Sequence, residues 1–206
     1  MIQPRKRAVV LISGGGSNML ALVEAAKADD YPVDIVAVIS DKPTAGGLAK
    51  AASRGIMTFA FERRNFDGKA DHEAAILACL EAINPDIVCL AGYMRLLSAD
   101  FIKRYEGRIL NIHPSLLPLF PGLHTHQRAI DAGMTTAGCT VHFVTEGMDE
   151  GPVILQSSVP VLPEDTAETL AARVLTVEHQ TYPQALRLVA EGRVEMHADG
   201  SVVRRG

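Results

Sequence analysis

Apolar positions along this chain fall into two patterns. Short, dominantly apolar runs occur at Ala8 to Ile12, Val33 to Ile39 and Ile87 to Ala91. Runs of this length, rich in branched residues, predict buried parallel strands. Between them the spacing is helical. From Met19 onward Leu20, Leu22, Val23 and Ala26 share a face, and Ile76, Leu77, Leu80 and Ile83 do so in a helix predicted from about Gly68 to Ile83. Asn84-Pro85 should end that helix. Shorter elements complete the series: a helix at Gly47 to Arg54, a strand at Met57 to Phe61, a helix around Phe101 and Ile102, and a strand at Arg108 to Asn111. Strands alternating with helices predict an α/β fold with a largely parallel sheet.

The second part reads differently. Thr140 to Val144 and Val153 to Val161 are strand-like, with a turn at Glu146 to Gly151 between them. Asp165-Thr166-Ala167-Glu168 is a helix-start signal, with Asp165 as candidate cap and an acid three residues on. Leu170, Val174 and Val177 continue at helical spacing, and Pro183 should kink or interrupt the helix. No linker, repeat or low-complexity segment divides the chain, so one domain spanning 1–206 is expected.

Two groupings carry candidate chemistry. Ser13-Gly14-Gly15-Gly16-Ser17-Asn18 lies between the first strand and first helix. Glycines there let the backbone turn sharply, and free amides at a helix start attract an anion. The loop lacks the Gly-Lys-Ser/Thr of a P-loop, and Met19 replaces the third glycine of a dinucleotide fingerprint. A single phosphate and a plain βα turn are equally good readings of the loop by itself. The second grouping is Asn111, His113 and Asp149. Residues two apart on an extended chain project to one side, and Pro114 favours extended geometry at His113. Asn111 and His113 should therefore face one cleft at the carboxyl end of a strand, as two donors for a developing oxyanion. Asp149 could return to that cleft from its turn. On spacing alone, a solvated turn acid explains it better.

Composition narrows the partners. The net charge of −4 lacks the basic footprint of a nucleic-acid binder. Cys79, Cys89 and Cys139 are odd in number and widely spaced, which suits free buried thiols in a reducing compartment. The apolar run behind the basic N-terminal residues is too short for a signal peptide or a membrane span, so a cytoplasmic location is expected. His124-Thr125-His126 has the look of metal ligands. With no HExxH or cysteine cluster beside it, packing or substrate-side loop histidines are the better reading and no metal is expected.

Longer motifs carry a resemblance. Asn111-Ile112-His113-Pro114-Ser115-Leu116-Leu117-Pro118, Pro121-Gly122, Val141-His142-Phe143-Val144 and Gly147-Met148-Asp149-Glu150-Gly151-Pro152-Val153-Ile154 resemble the folate-dependent formyltransferase family over nearly the whole chain. The glycine loop and the chain length resemble the branch that formylates glycinamide ribonucleotide. This resemblance implies a Rossmann-like sheet flanked by helices, 10-formyltetrahydrofolate as co-substrate, and no metal. It also implies roles for residues. Asn111, His113 and Asp149 match the catalytic trio. Gly16, Ser17 and Asn18 match the segment around the substrate phosphate, and Glu178 an acid near the ribose. Met94, Arg95, Leu96 and Leu97, with Asn111, match the folate pocket. Lys69 stands where relatives often carry an arginine, and keeps the charge without the planar fork. About 1–105 would then be the phosphate-binding half and about 106–206 the catalytic and folate-facing half. The length and charge are expected to set the chain apart from the tRNA-directed branch, which adds a C-terminal RNA-binding domain, and from the hydrolase branch, which adds an N-terminal one. The sequence leaves the oligomeric state open, with a homodimer as one outcome.

Overall fold

A computed structural model describes residues 4–206. Its centre is a seven-stranded sheet. The first five strands are β1 (Lys6–Ile12), β2 (Val33–Ser40), β3 (Met57–Ala60), β4 (Ile87–Leu90) and β5 (Ile109–His113). They are mutually parallel where they pair. The last two, β6 (Thr136–Phe143) and β7 (Val153–Pro160), add antiparallel to β5 and to each other. The spatial order is β3-β2-β1-β4-β5-β6-β7. The expected α/β class and mostly parallel sheet are thus observed.

Both faces of the sheet are covered, and the period of two on β1 shows how. Ala8, Val10 and Ile12 enter one core, while Val9 and Leu11 enter the other. The first core includes residues of α1 (Ser17–Ala25), α2 (Gly46–Ala52), α5 (Thr125–Asp131) and α6 (Ala167–Ala190). The second includes residues of α3 (Lys69–Ile83) and α4 (Ala99–Arg104). A strand buried on both faces has no place for polar alternation, so its sequence is continuously apolar.

Helix α6 buries Leu170, Val174, Glu178, Thr181, Tyr182, Ala185 and Leu186. That is one face at helical spacing. Glu178 is the one carboxylate in this stripe, a placement that packing alone would not select. The buried Tyr182 hydroxyl satisfies itself on the carbonyls of Leu90 (2.9 Å) and Leu110 (3.2 Å), tying the helix to β4 and β5.

Several local expectations change. The cap of α6 is Thr166, not Asp165: the Thr166 hydroxyl accepts from the Thr169 amide, and the Thr169 hydroxyl accepts from the Thr166 amide. Asp165 instead takes two bonds from Arg173, at 2.6 and 2.8 Å, which hold its carboxyl well below the usual carboxylate range. Pro183 does not interrupt α6. The helix continues to Ala190, and the Pro183 carbonyl accepts from the Tyr31 hydroxyl at 2.8 Å. Strand β6 starts at Thr136 rather than Thr140, and the hairpin of β8 (Val194–Met196) with β9 (Val202–Arg204) has no counterpart in the sequence pattern. Among the described residues no helix is long and apolar enough to cross a membrane.

Candidate active site

In the order β3-β2-β1-β4-β5, the chain winds one way from β1 to β3 and the other way from β4 to β5. Open α/β sheets bind ligands beyond the carboxyl ends of the strands where this reversal occurs. Three segments leave β1, β4 and β5 at that edge: the glycine loop, residues 91–98, and the loop from Pro114 to His124.

The glycine loop runs directly into α1. Gly16 is the residue before the helix, at φ 70°, and a Cβ there would sit 2.9 Å from Met19 Cε and 3.0 Å from Gly47 Cα. The helix begins at Ser17, two residues before the first residue read as helical, so the amides of Ser17 and Asn18 belong to its open first turn. Asn18 Nδ2 donates to Glu178 Oε2 at 2.7 Å, which brings α6 to the loop. Asn18 Oδ1 is buried without a partner. Burial pushes the Glu178 carboxyl above its ordinary value, with the Asn18 bond opposing. The four residues expected on the substrate side therefore meet: Gly16, Ser17, Asn18 and Glu178.

The trio also converges. Asn111 and His113 lie two apart on β5, and Asp149 returns from the β6–β7 turn. His113 Nδ1 is 3.4 Å from Asp149 Oδ2, and that carboxylate, only 12% exposed, accepts from the Gly122 amide at 2.9 Å. Asp149 is thus not a solvated turn residue. Its φ of 57° places it in the left-handed region, where few side chains settle. His113 Nε2 lies 3.0 Å from the Phe120 carbonyl. A carbonyl can only accept, so Nε2 carries the proton and Nδ1 is the nitrogen turned toward the acid.

A fourth member was missed in the sequence reading. His142 pairs with Asn111 across β5 and β6, and Asn111 Nδ2 lies 3.2 Å from His142 Nε2. His142 Nδ1 faces its neighbour's carbonyl, Phe143 O, at 2.9 Å, so Nδ1 is the protonated nitrogen and Nε2 accepts from the amide. Burial lowers its pKa, in keeping with a neutral ring. His142 Nε2 is 3.8 Å from Asp149 Oδ1. The signal for it was present: once β6 is placed antiparallel to β5, the partner of Asn111 is a histidine.

The loop after β5 is fastened from below. Thr140 Oγ1 donates to Ser115 O and accepts from the Leu117 amide and from Gln156 Nε2. Ser115 Oγ donates to Leu119 O at 2.6 Å. His126 lies on α5 rather than in a loop, with its Nε2 buried and unpartnered. Among the described residues no group of three or more His, Cys, Asp or Glu is arranged to hold a metal ion.

The chain matches the formyl transferase family model over residues 6–186. It belongs to that family. It is 45% identical over 193 residues to phosphoribosylglycinamide formyltransferase of Escherichia coli K12, covering 94% of this chain and 91% of the relative. It is 47% identical over 202 residues to the trifunctional purine biosynthetic protein adenosine-3 of Bos taurus. There the match covers 98% of this chain but only 20% of the relative, so the chain spans about a fifth of that protein. The crystal structure of phosphoribosylglycinamide formyltransferase from Brucella melitensis superimposes with a TM-score of 0.88 at 67% identity, covering 90% of this chain and 96% of that one.

The residues expected to face folate are spread more widely. Met94 and Leu96 are 65% and 62% exposed on the segment after β4. Leu97 packs against the second core. The Arg95 side chain, still 42% exposed, bonds through Nε to the buried Asp41 Oδ2 at 2.8 Å, and its backbone groups stay on the segment. Lys69 does not reach this segment directly. It opens α3, half exposed, with Nζ 3.8 Å from Glu73 Oε1.

Proposed function

We propose that this protein transfers the formyl group of 10-formyltetrahydrofolate to the amine of glycinamide ribonucleotide, giving formylglycinamide ribonucleotide in de novo purine synthesis in the cytoplasm. Residues 1–206 act as one formyltransferase domain, about 1–105 holding the phosphate and about 106–206 supplying the catalytic groups. The observation that carries this reading is the meeting of Asn111, His113, His142 and Asp149 at the carboxyl edge of the sheet, in a chain of the formyl transferase family.

The chemistry follows from the donors. The substrate amine attacks the formyl carbon, a carbon–nitrogen bond forms, and the carbonyl electron pair moves onto oxygen. Asn111 has one amide hydrogen on His142 and a second to offer that oxygen. His142 acts through Asn111 by fixing the orientation of its amide. Nε2–H of His113 is engaged by Phe120 O. For Nδ1 to donate as well, the ring must carry both protons, and the Asp149 carboxylate is placed to balance that charge. Collapse of the intermediate breaks the bond from carbon to the folate nitrogen. The proton lost by the amine passes by way of Asp149 and water to that leaving nitrogen. Gly16, Ser17 and Asn18 hold the substrate phosphate through helix-start amides, and Glu178 accepts from the ribose hydroxyls. Met94, Leu96, Leu97 and backbone groups of Arg95, with Asn111, receive the pterin, and Lys69 lies beyond them.

A spectrophotometric assay tests the reading. Protein, 10-formyltetrahydrofolate and glycinamide ribonucleotide together should yield tetrahydrofolate and the formylated ribonucleotide in equal amounts. Equal folate turnover with the acceptor omitted would show that water is the acceptor and would overturn the assignment.

A further inference from the structure

The segment from Met94 to Ser98 is tied down at both ends by carboxylates that the formyl-transfer chemistry does not use. At its start the Met94 amide donates to Ser13 Oγ at 2.9 Å, and the Ser13 hydroxyl donates to Asp41 Oδ1 at 2.6 Å. The other Asp41 oxygen takes Arg95 Nε at 2.8 Å. The Asp41 side chain is fully buried. At the far end the Ser98 amide donates to Glu73 Oε1 at 2.9 Å, and the Ser98 hydroxyl donates to Glu73 Oε2. Glu73 is only 6% exposed.

The direction of every bond in this arrangement is fixed. A carboxylate only accepts, so the Ser13 proton must point to Asp41 and its lone pair must receive the Met94 amide. Charge-assisted bonds of this kind are shorter and stronger than neutral ones, and a buried carboxylate persists only when so paired. Between the two ties, Met94 and Leu96 hang outward with little packing of their own. Their side chains do not set the height of the segment above the sheet; within it Leu97 alone packs against the second core. A further bond, from the Ser13 amide to Gly92 O at 3.1 Å, joins the same strap to the start of the glycine loop.

We propose that Asp41 and Glu73 are positioning residues that hold the Met94–Ser98 strap in place for the folate donor, Asp41 through Ser13 and Arg95, Glu73 through Ser98. The inference rests on the reading above that this strap faces folate.

Steady-state kinetics on the full chain test it, with tetrahydrofolate binding by calorimetry alongside. Asp41→Ala and Ser13→Ala should raise KM for the formyl donor about tenfold, equivalent to about 1.4 kcal/mol. KM for the ribonucleotide and kcat should stay within about twofold, and tetrahydrofolate affinity should fall with the donor KM. Asp41→Asn keeps an oxygen for Ser13 but turns a donor toward Arg95 Nε, so it should recover only part of the loss; Glu73→Gln, whose amide can face the Ser98 hydroxyl, should recover more relative to Glu73→Ala. An unchanged donor KM in Ser13→Ala and Glu73→Ala, or an equal change in both KM values, would overturn the proposal. So would a loss that appears only in kcat. Should Asp41→Ala fail to fold, Ser13→Ala and Glu73→Ala decide the matter. Failure of the functional reading looks different: the unaltered protein would then transfer no formyl group at all.

Discussion

The two ends of the candidate site are built on opposite principles. At the glycine loop the candidate groups are backbone amides, and the sequence contributes chiefly by what it omits. A Cβ on Gly47 would collide with Ile12 Cδ1 and lie 3.1 Å from Gly14 O. At the β5–β6 corner the candidate groups are side chains, each held by a partner of fixed polarity: Asn111 on His142, His113 on Phe120 O, Asp149 on the Gly122 amide. The first region should tolerate exchange of side chains and resist added bulk. The second should resist the loss of any single polar group.

The largest effects are expected at the corner. Asn111→Ala and His113→Ala should each lower kcat by roughly 10²–10³, the usual cost of one oxyanion donor, and Asp149→Ala, which removes the partner of His113, by a similar factor, with folding intact by circular dichroism. His142→Ala should cost less, about tenfold, because it acts through the orientation of Asn111. An effect as large as that of Asn111→Ala would give His142 a direct role. Next in size is Gly47→Ala, where overpacking should destabilise by about 1–3 kcal/mol and raise KM for the ribonucleotide while leaving donor KM near its original value. Ser17→Ala, which leaves the amide in place, should change that KM less than Gly47→Ala does.

Glu178 offers a pH test at the join of the two regions. Its folded pKa lies above the unfolded value of 4.5, because burial disfavours the charge. Its contribution to stability is therefore fully present below pH 4.5 and lost as pH rises through the folded pKa. Glu178→Gln should unfold at a higher temperature than the unaltered protein at neutral pH, with the gap closing toward pH 4.5, and should bind the ribonucleotide less tightly. A gap independent of pH would contradict the burial argument. The smallest effect is expected far from the site, where Thr166→Ala should cost about 1 kcal/mol by removing the cap of α6, with kinetics unchanged.

Legibility in the sequence followed the strength of local pattern. Strands β1, β2 and β4 are buried on both faces, so their apolar runs are unambiguous. The start of β6 is Thr136-Ala137-Gly138-Cys139, small residues with no alternation, because Gly138 must admit the neighbouring strand at Ser157. Helix α5 has only Ala129 and Ile130 as apolar residues, adjacent in sequence, so no apolar spacing marks it. The cap of α6 was misplaced by one residue because Asp165 and Thr166 are both good caps, and the distant Arg173 claims the first. At the site, Asn111 and His113 were readable from their spacing. His142 was not, because its role depends on cross-strand pairing. The ties of Ser13, Asp41 and Glu73 are hidden for the same reason: they are contacts between elements far apart in sequence.

The central claim is that Asn111 and His113, the latter supported by Asp149, act together on one formyl oxygen. A kinetic cycle of Asn111→Ala, Asp149→Ala and the double variant, assayed with 10-formyltetrahydrofolate and glycinamide ribonucleotide, tests it most directly. If the groups work as a unit, the double variant should lose little more kcat than the worse single variant. Losses that simply multiply would show two independent sites and contradict the account.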